Sequence, residues 1–294
     1  MFTEEFERYV QPARPRAQLW RLFAGVLVML IVYLIGVAAV FAVIWLTSGT
    51  LGLRNWSAKL LEASSPTGAM LLMASFIGMA VAPMVAVRLL HRRKARTLFG
   101  PQQVVVRDFL RTAGIVLAIY SLLTLGWSFI YDGVPNLNFF LWLTFLPIAL
   151  LGVLIQTGAE ELVFRGYFQQ QLGARFNSPV IWMLLPSLAF GLAHYNLDAA
   201  GQNTWYIVAT ATVFGLIAAD LTRITGSIGA AWGFHFSNNV IAVLIVATDG
   251  TIPGLALYLT PYTADDASKI QALIFADYVG LFLAWMILRR VLSR

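Results

Sequence analysis

The chain has no cysteine among its 294 residues, which excludes disulfides, thiolate metal sites and a cysteine nucleophile. Charge is scarce too. Asp, Glu, Lys and Arg make up 12% of the residues, against about a quarter in soluble domains. Histidine occurs only three times. No repeat or low-complexity linker divides the sequence, and the His-Glu-x-x-His helix of many zinc peptidases is missing.

Long apolar runs fill the space that charge leaves. Hydrophobic residues reach 59% and mean hydropathy is +0.76, which makes this a polytopic membrane protein. Spanning about 30 Å of hydrocarbon takes roughly 20 helical residues. Eight stretches are read as spans: 20–46, 68–90, 110–131, 138–158, 178–195, 204–221, 227–248 and 270–290. The expected fold is therefore an all-α membrane bundle of about eight transmembrane helices, with residues 1–294 as a single membrane domain. The first stretch follows a polar tail with Arg14, Arg16 and Arg21, as a signal peptide's would follow basic residues, but its length exceeds a signal h-region and predicts a retained helix.

Lysine and arginine set the expected orientation. With the N-terminus in the cytoplasm, 17 of the 20 basic residues fall on the cytoplasmic side. Both termini are thus expected there, in what reads as a bacterial cytoplasmic membrane. The run from His91 to Arg96 reads as a topology determinant and anionic-lipid contact rather than a nucleic-acid site.

Three pairings in apolar surroundings carry the chemistry, because ionisable groups in a membrane mark sites of function. In the first, Glu161 and Arg165 are four apart and share a helix face, so they form an ion pair. Adjacent Glu160 is rotated away and left as a free carboxylate, suited to act as a general base. In the second, His194 follows Phe190 by four. In the third, His235 and Asn239 project side by side as two neutral donors, as an oxyanion requires, although a polar interhelical clamp would look the same. Counting from the turns near residues 173–178 and 225–226 puts these groups in one layer.

The set Glu160-Glu161-x-x-x-Arg165, Phe190-x-x-x-His194 and His235-x-x-x-Asn239 resembles that of the CAAX prenyl proteases and bacteriocin-processing enzymes, the CPBP or Abi membrane proteases. Phe164, Gly166 and Tyr167 add to the likeness, and the segment 138–248 carries it. The resemblance implies an intramembrane endopeptidase. Glu160 with His194 would activate water, and His235 and Asn239 would hold the oxyanion. Glu161, Arg165 and Phe190 would stand behind them. The implied substrate is a peptide or membrane-protein tail, with no cofactor and no nucleic-acid partner.

Two other readings use the same residues. Zinc could be held by Glu160, His194 and His235, with Glu161 nearby, since carboxylate and imidazole both suit it. Alternatively, the chain is a non-catalytic immunity or membrane partner protein. Asp277 in the last stretch predicts a packing role, Asp220 and Arg223 an interfacial pair, and Trp20, Trp205 and Trp285 interface anchors.

Overall fold

Apolar runs form helices because hydrocarbon offers backbone groups no other partner. The computed structural model describes residues 2–293. Helix α1 (Glu4–Val10) leads into α2 (Leu19–Glu62), α3 (Pro66–Leu89) and α4 (Gln102–Ser128). After strand β1 (Val134–Pro135), α5 (Phe139–Glu161) continues through a wider π-helical stretch, Leu162–Gln169, into α6 (Gln170–Arg175). Then come α7 (Leu185–Leu192), entered by a π turn at Val180–Leu184, and α8 (Leu197–Ala200), α9 (Thr204–Thr225) and α10 (Gly229–Asn239). Strands β2 (Val246–Asp249) and β3 (Tyr258–Thr263) precede α11 (Ala267–Leu292).

The architecture is an all-α membrane bundle. Among the described residues, six helical stretches are long and apolar enough to cross a membrane: Leu19–Leu60, Pro66–Leu89, Gln102–Ser128, Phe139–Arg175, Leu197–Thr225 and Ala267–Leu292. The other two expected spans are shorter. The stretch 178–195 contains a helix over Val180–Leu192. The stretch 227–248 is α10 plus a π turn, Val240–Ile245, and then becomes strand β2. The backbone turns extended at Val246, where β-branched neighbours suit a strand and β3 supplies a partner. The small sheet runs β1-β3-β2, antiparallel between β1 and β3 and parallel between β3 and β2.

Packing is inverted relative to a soluble domain. Phe23, Leu27 and Ile31 on α2 are exposed, while Glu161, Arg165, Gln169 and Gln170 are buried. Small residues bring backbones together where helices cross: a Cβ on Gly36 of α2 would lie 2.7 Å from the Cα of Gly78 on α3. The N-terminal segment, read from sequence as a polar tail, packs inside. Phe6, Tyr9 and Val10 are buried, Phe6 lies 4.6 Å from Trp182 by ring centroids, and the Tyr9 hydroxyl donates to the carbonyl of Leu98 at 2.6 Å. Gly226 ends α9 in a left-handed conformation (φ 67°), pressed so closely on this segment that a Cβ would meet the Glu5 carbonyl at 2.7 Å.

Candidate active site

One continuous helix, α5 through α6, supplies the acidic half of the site. Its register puts Gln156 and Glu160 on one face and Glu161 and Arg165 on another, each pair one turn apart. The π-helical stretch begins directly after Glu161, as such bulges often do at functional sites. Arg165 fixes this helix to α9 by donating to the Gly215 carbonyl at 3.1 Å, and Gln169 donates to the Ala219 carbonyl at 2.9 Å. The Arg165 guanidinium also lies 4.8 Å from the centre of the Phe190 ring.

Helix α10 supplies the other half. It docks on α4 through Gly233, where a Cβ would meet the Phe109 carbonyl at 2.4 Å, and through Ser237, which donates to the Ala113 carbonyl at 3.1 Å. Trp232 reaches across to α5 and donates to the Leu154 carbonyl at 3.1 Å, over Gly158, whose missing side chain leaves the indole its room. This docking holds His235 against the two glutamates.

The resulting cluster is dense. Glu161 Oε1 accepts from Arg165 Nη1 at 2.9 Å and from His235 Nδ1 at 2.8 Å. A carboxylate so engaged only accepts, so His235 carries its proton on Nδ1 and turns Nε2 toward Glu160 Oε2, 3.6 Å away. That distance is too long for a hydrogen bond, and Glu160 Oε2 is buried with no hydrogen-bond partner in the protein. The His235 ring is held edge-on by Phe190 and Phe214, at centroid distances of 5.7 and 5.1 Å. Asn239, one turn on, donates Nδ2 to Gln156 Oε1 at 2.8 Å.

Five of the seven residues singled out from sequence therefore meet directly or through one bridge: Glu160, Glu161, Arg165, His235 and Asn239. Phe190 packs behind them. His194 stands apart. It is exposed at the end of α7, its Nδ1 bonds the Phe190 carbonyl at 2.9 Å, and no hydrogen bond or ion pair joins it to Glu160. The Phe190 ring touches both imidazoles, 4.7 Å from the ring of His194 and 5.7 Å from that of His235. The sequence reading also separates Glu161 from the reacting groups, whereas its carboxylate holds His235 directly. Gln156 escaped it altogether, although its place four residues before Glu160 was a readable signal.

Glu161 Oε1 is committed to Arg165 and His235, His194 points elsewhere, and among the described residues no group of three His, Asp or Glu side chains is placed to hold a metal ion. Elsewhere, Asp220 accepts from Arg223 at 2.8 Å, as its spacing predicts, and also from Trp285 at 2.9 Å. Asp277 is exposed on α11, away from the cluster.

Comparison with known proteins agrees with the motifs. Residues 138–241 match the family model described as type II CAAX prenyl endopeptidase Rce1-like. The chain is 29% identical over 261 residues to the uncharacterized protein YyaK of Bacillus subtilis (strain 168), covering 84% of each. No solved structure matches. The segment bearing the three motifs is thus similar to the Rce1-like CAAX endopeptidases, a family of membrane-embedded proteases, and it is set in a multi-pass integral membrane protein.

Proposed function

We propose that this chain is an intramembrane endopeptidase in which Glu160 activates the water that attacks a peptide bond. The observation that carries the reading is the unpartnered Oε2 of Glu160, buried and 3.6 Å from His235 Nε2, with Asn239 one turn further along α10. A buried carboxylate oxygen without a donor is costly unless it has a use.

Glu160 Oε2 takes a proton from water as the oxygen attacks the carbonyl carbon. The carbonyl becomes an oxyanion, which accepts from Asn239 Nδ2 and from His235. Because His235 Nδ1–H is engaged by Glu161, Nε2 donates only when the ring is cationic. The proton on Glu160 then passes to the leaving nitrogen as the C–N bond breaks. His194, with Nδ1 turned to a carbonyl, offers a bare Nε2 to the entering water or the substrate.

The substrate would be a peptide or the tail of a membrane protein, with bacteriocin-like precursors as the narrower class. The chain would insert with both termini in the cytoplasm. Arg165, counted with the cytoplasmic charges from sequence, is buried in the site, but removing it leaves the bias intact. The test is cleavage of a peptide library by purified protein in nanodiscs, comparing wild type, Glu160→Gln and His235→Ala with and without chelator. Cleavage lost in both variants and indifferent to chelator supports the reading. Loss to chelator with rescue by zinc would assign the same residues to a metal. Full biological function in Glu160→Gln would point to a non-catalytic partner protein.

A further inference from the structure

Gln156 is a half-buried amide on α5 that joins the two halves of the site and belongs to none of the three motifs. Its Nε2 donates to Glu160 Oε1 at 2.7 Å, and its Oε1 accepts from Asn239 Nδ2 at 2.8 Å. Asn239 Oδ1 accepts in turn from Asn238 Nδ2 at 3.0 Å. We infer that Gln156 is a positioning residue, a polar bridge that sets which oxygen of Glu160 is free and which end of the Asn239 amide faces the substrate.

The argument starts from the one group whose polarity is fixed. An ionised carboxylate can only accept, so the Gln156 amide must turn its nitrogen to Glu160. Its carbonyl oxygen then faces α10 and can only accept there. Asn239 must therefore present its nitrogen, not its oxygen, and Asn238 donates to the oxygen at the far end. Each amide could flip in isolation, but the chain of three bonds from Glu160 allows one sense only. Two consequences follow. Glu160 Oε1 is committed, leaving Oε2 as the oxygen that faces His235 Nε2. Asn239 commits one Nδ2 hydrogen to Gln156 and keeps the other for an oxyanion. Protonation of Oε2 during catalysis leaves Oε1 an acceptor, so the bridge survives the proton transfer.

This inference rests on the protease reading for its kinetic test but not for its structural one. Gln156→Leu removes both bonds at similar volume, and misplacement of catalytic groups by about 1 Å can cost on the order of 10²-fold in rate. The expected result is kcat lowered by about 10–100-fold, with KM changed less than about twofold and the melting temperature little moved. Combined with Asn239→Ala, it should cost little beyond the worse single variant, because both damage one donor. Gln156→Glu is the conservative probe. Ionised, it cannot donate to Glu160; with one proton shared between the two carboxylates it reproduces the bridge. Its activity relative to wild type should therefore rise as pH falls, whereas Gln156→Leu should show a pH-independent deficit. Multiplying losses in the double variant, or parallel pH profiles for both substitutions, would overturn the bridge.

A second measurement needs no turnover. With ¹³C-labelled glutamate, the Glu160 carboxylate band can be assigned by infrared difference against Glu160→Gln in the full-length protein in nanodiscs. That band should shift in Gln156→Leu. An unshifted band overturns the inference even if the enzyme cleaves peptides. A shifted band in a protein that cleaves nothing keeps the bridge and removes the protease.

Discussion

The end of α7 and the middle of α10 each carry a histidine beside a partner four residues away, yet the two regions are built differently. His235 is 3% exposed, bonded through Nδ1 to a carboxylate that an arginine also holds, and boxed by two phenylalanines. His194 is exposed, bonded only to a carbonyl one turn back in its own helix. One imidazole is clamped by three other helices, while the other sits exposed at a helix end with its contacts to Phe190 of its own helix.

The largest effect expected is on Glu160, the carboxylate that the clamped His235 faces. Glu160→Gln should reduce peptide cleavage by about 10²–10⁴-fold, as loss of a general base does, without lowering the melting temperature. Retention of more than a tenth of the rate would remove Glu160 from the chemistry. Asn239→Ala should follow with about 10²–10³-fold, the usual loss for one oxyanion donor.

Stability separates the two regions further. Arg165→Met leaves the Glu161 charge buried with His235 as its only counter-group, and should cost about 3–5 kcal/mol in thermal or denaturant unfolding. His235→Ala should cost about 1–3 kcal/mol by taking one donor from Glu161. His194→Ala should stay within about 0.5 kcal/mol while still lowering cleavage. Equal melting shifts for the two histidine variants would erase the contrast between clamped and free.

The smallest effect concerns the third histidine, in the turn after α3. His91 is buried, with Nδ1 on the Arg16 carbonyl at 2.9 Å and Nε2 on the Tyr167 hydroxyl at 3.0 Å, tying the N-terminal segment to the helix that carries Glu160 and Glu161. Burial lowers its pKa from 6.5, against the raising effect of the Arg16 carbonyl, and Arg93, Arg21 and Arg16 push the same way as burial. The fold thus favours neutral His91. Its contribution to stability is present above pH 6.5 and is lost as pH falls through the lowered folded value. Melting temperature should drop over that acid window, and His91→Gln should flatten the drop.

How much of this was legible beforehand depended on distance along the chain. The Glu161–Arg165 pair and the Asp220–Arg223 pair both follow from helical spacing, a local property. His91 read as one more cation in a basic run, because its partners, Arg16 and Tyr167, lie more than 70 residues away on either side. The N-terminal segment read as a tail, though Phe6, Tyr9 and Val10 already lie at helical spacing on one face. Strand β2 was hidden for a related reason: Val240–Ile245 is apolar in either state, and only β3 favours the extended one at Val246.

By itself, the sequence determined the membrane class, the long helices and which polar groups stand in apolar stretches, since hydropathy and periodicity act within a single helix. Tertiary structure decided what those groups do to one another. It joined Glu161 to His235 across two helices, left Oε2 of Glu160 without a donor, set His194 at the rim and strung Gln156 between base and amide. Those assignments turn on differences of an ångström between atoms brought together from separate helices, and no spacing along one chain encodes them.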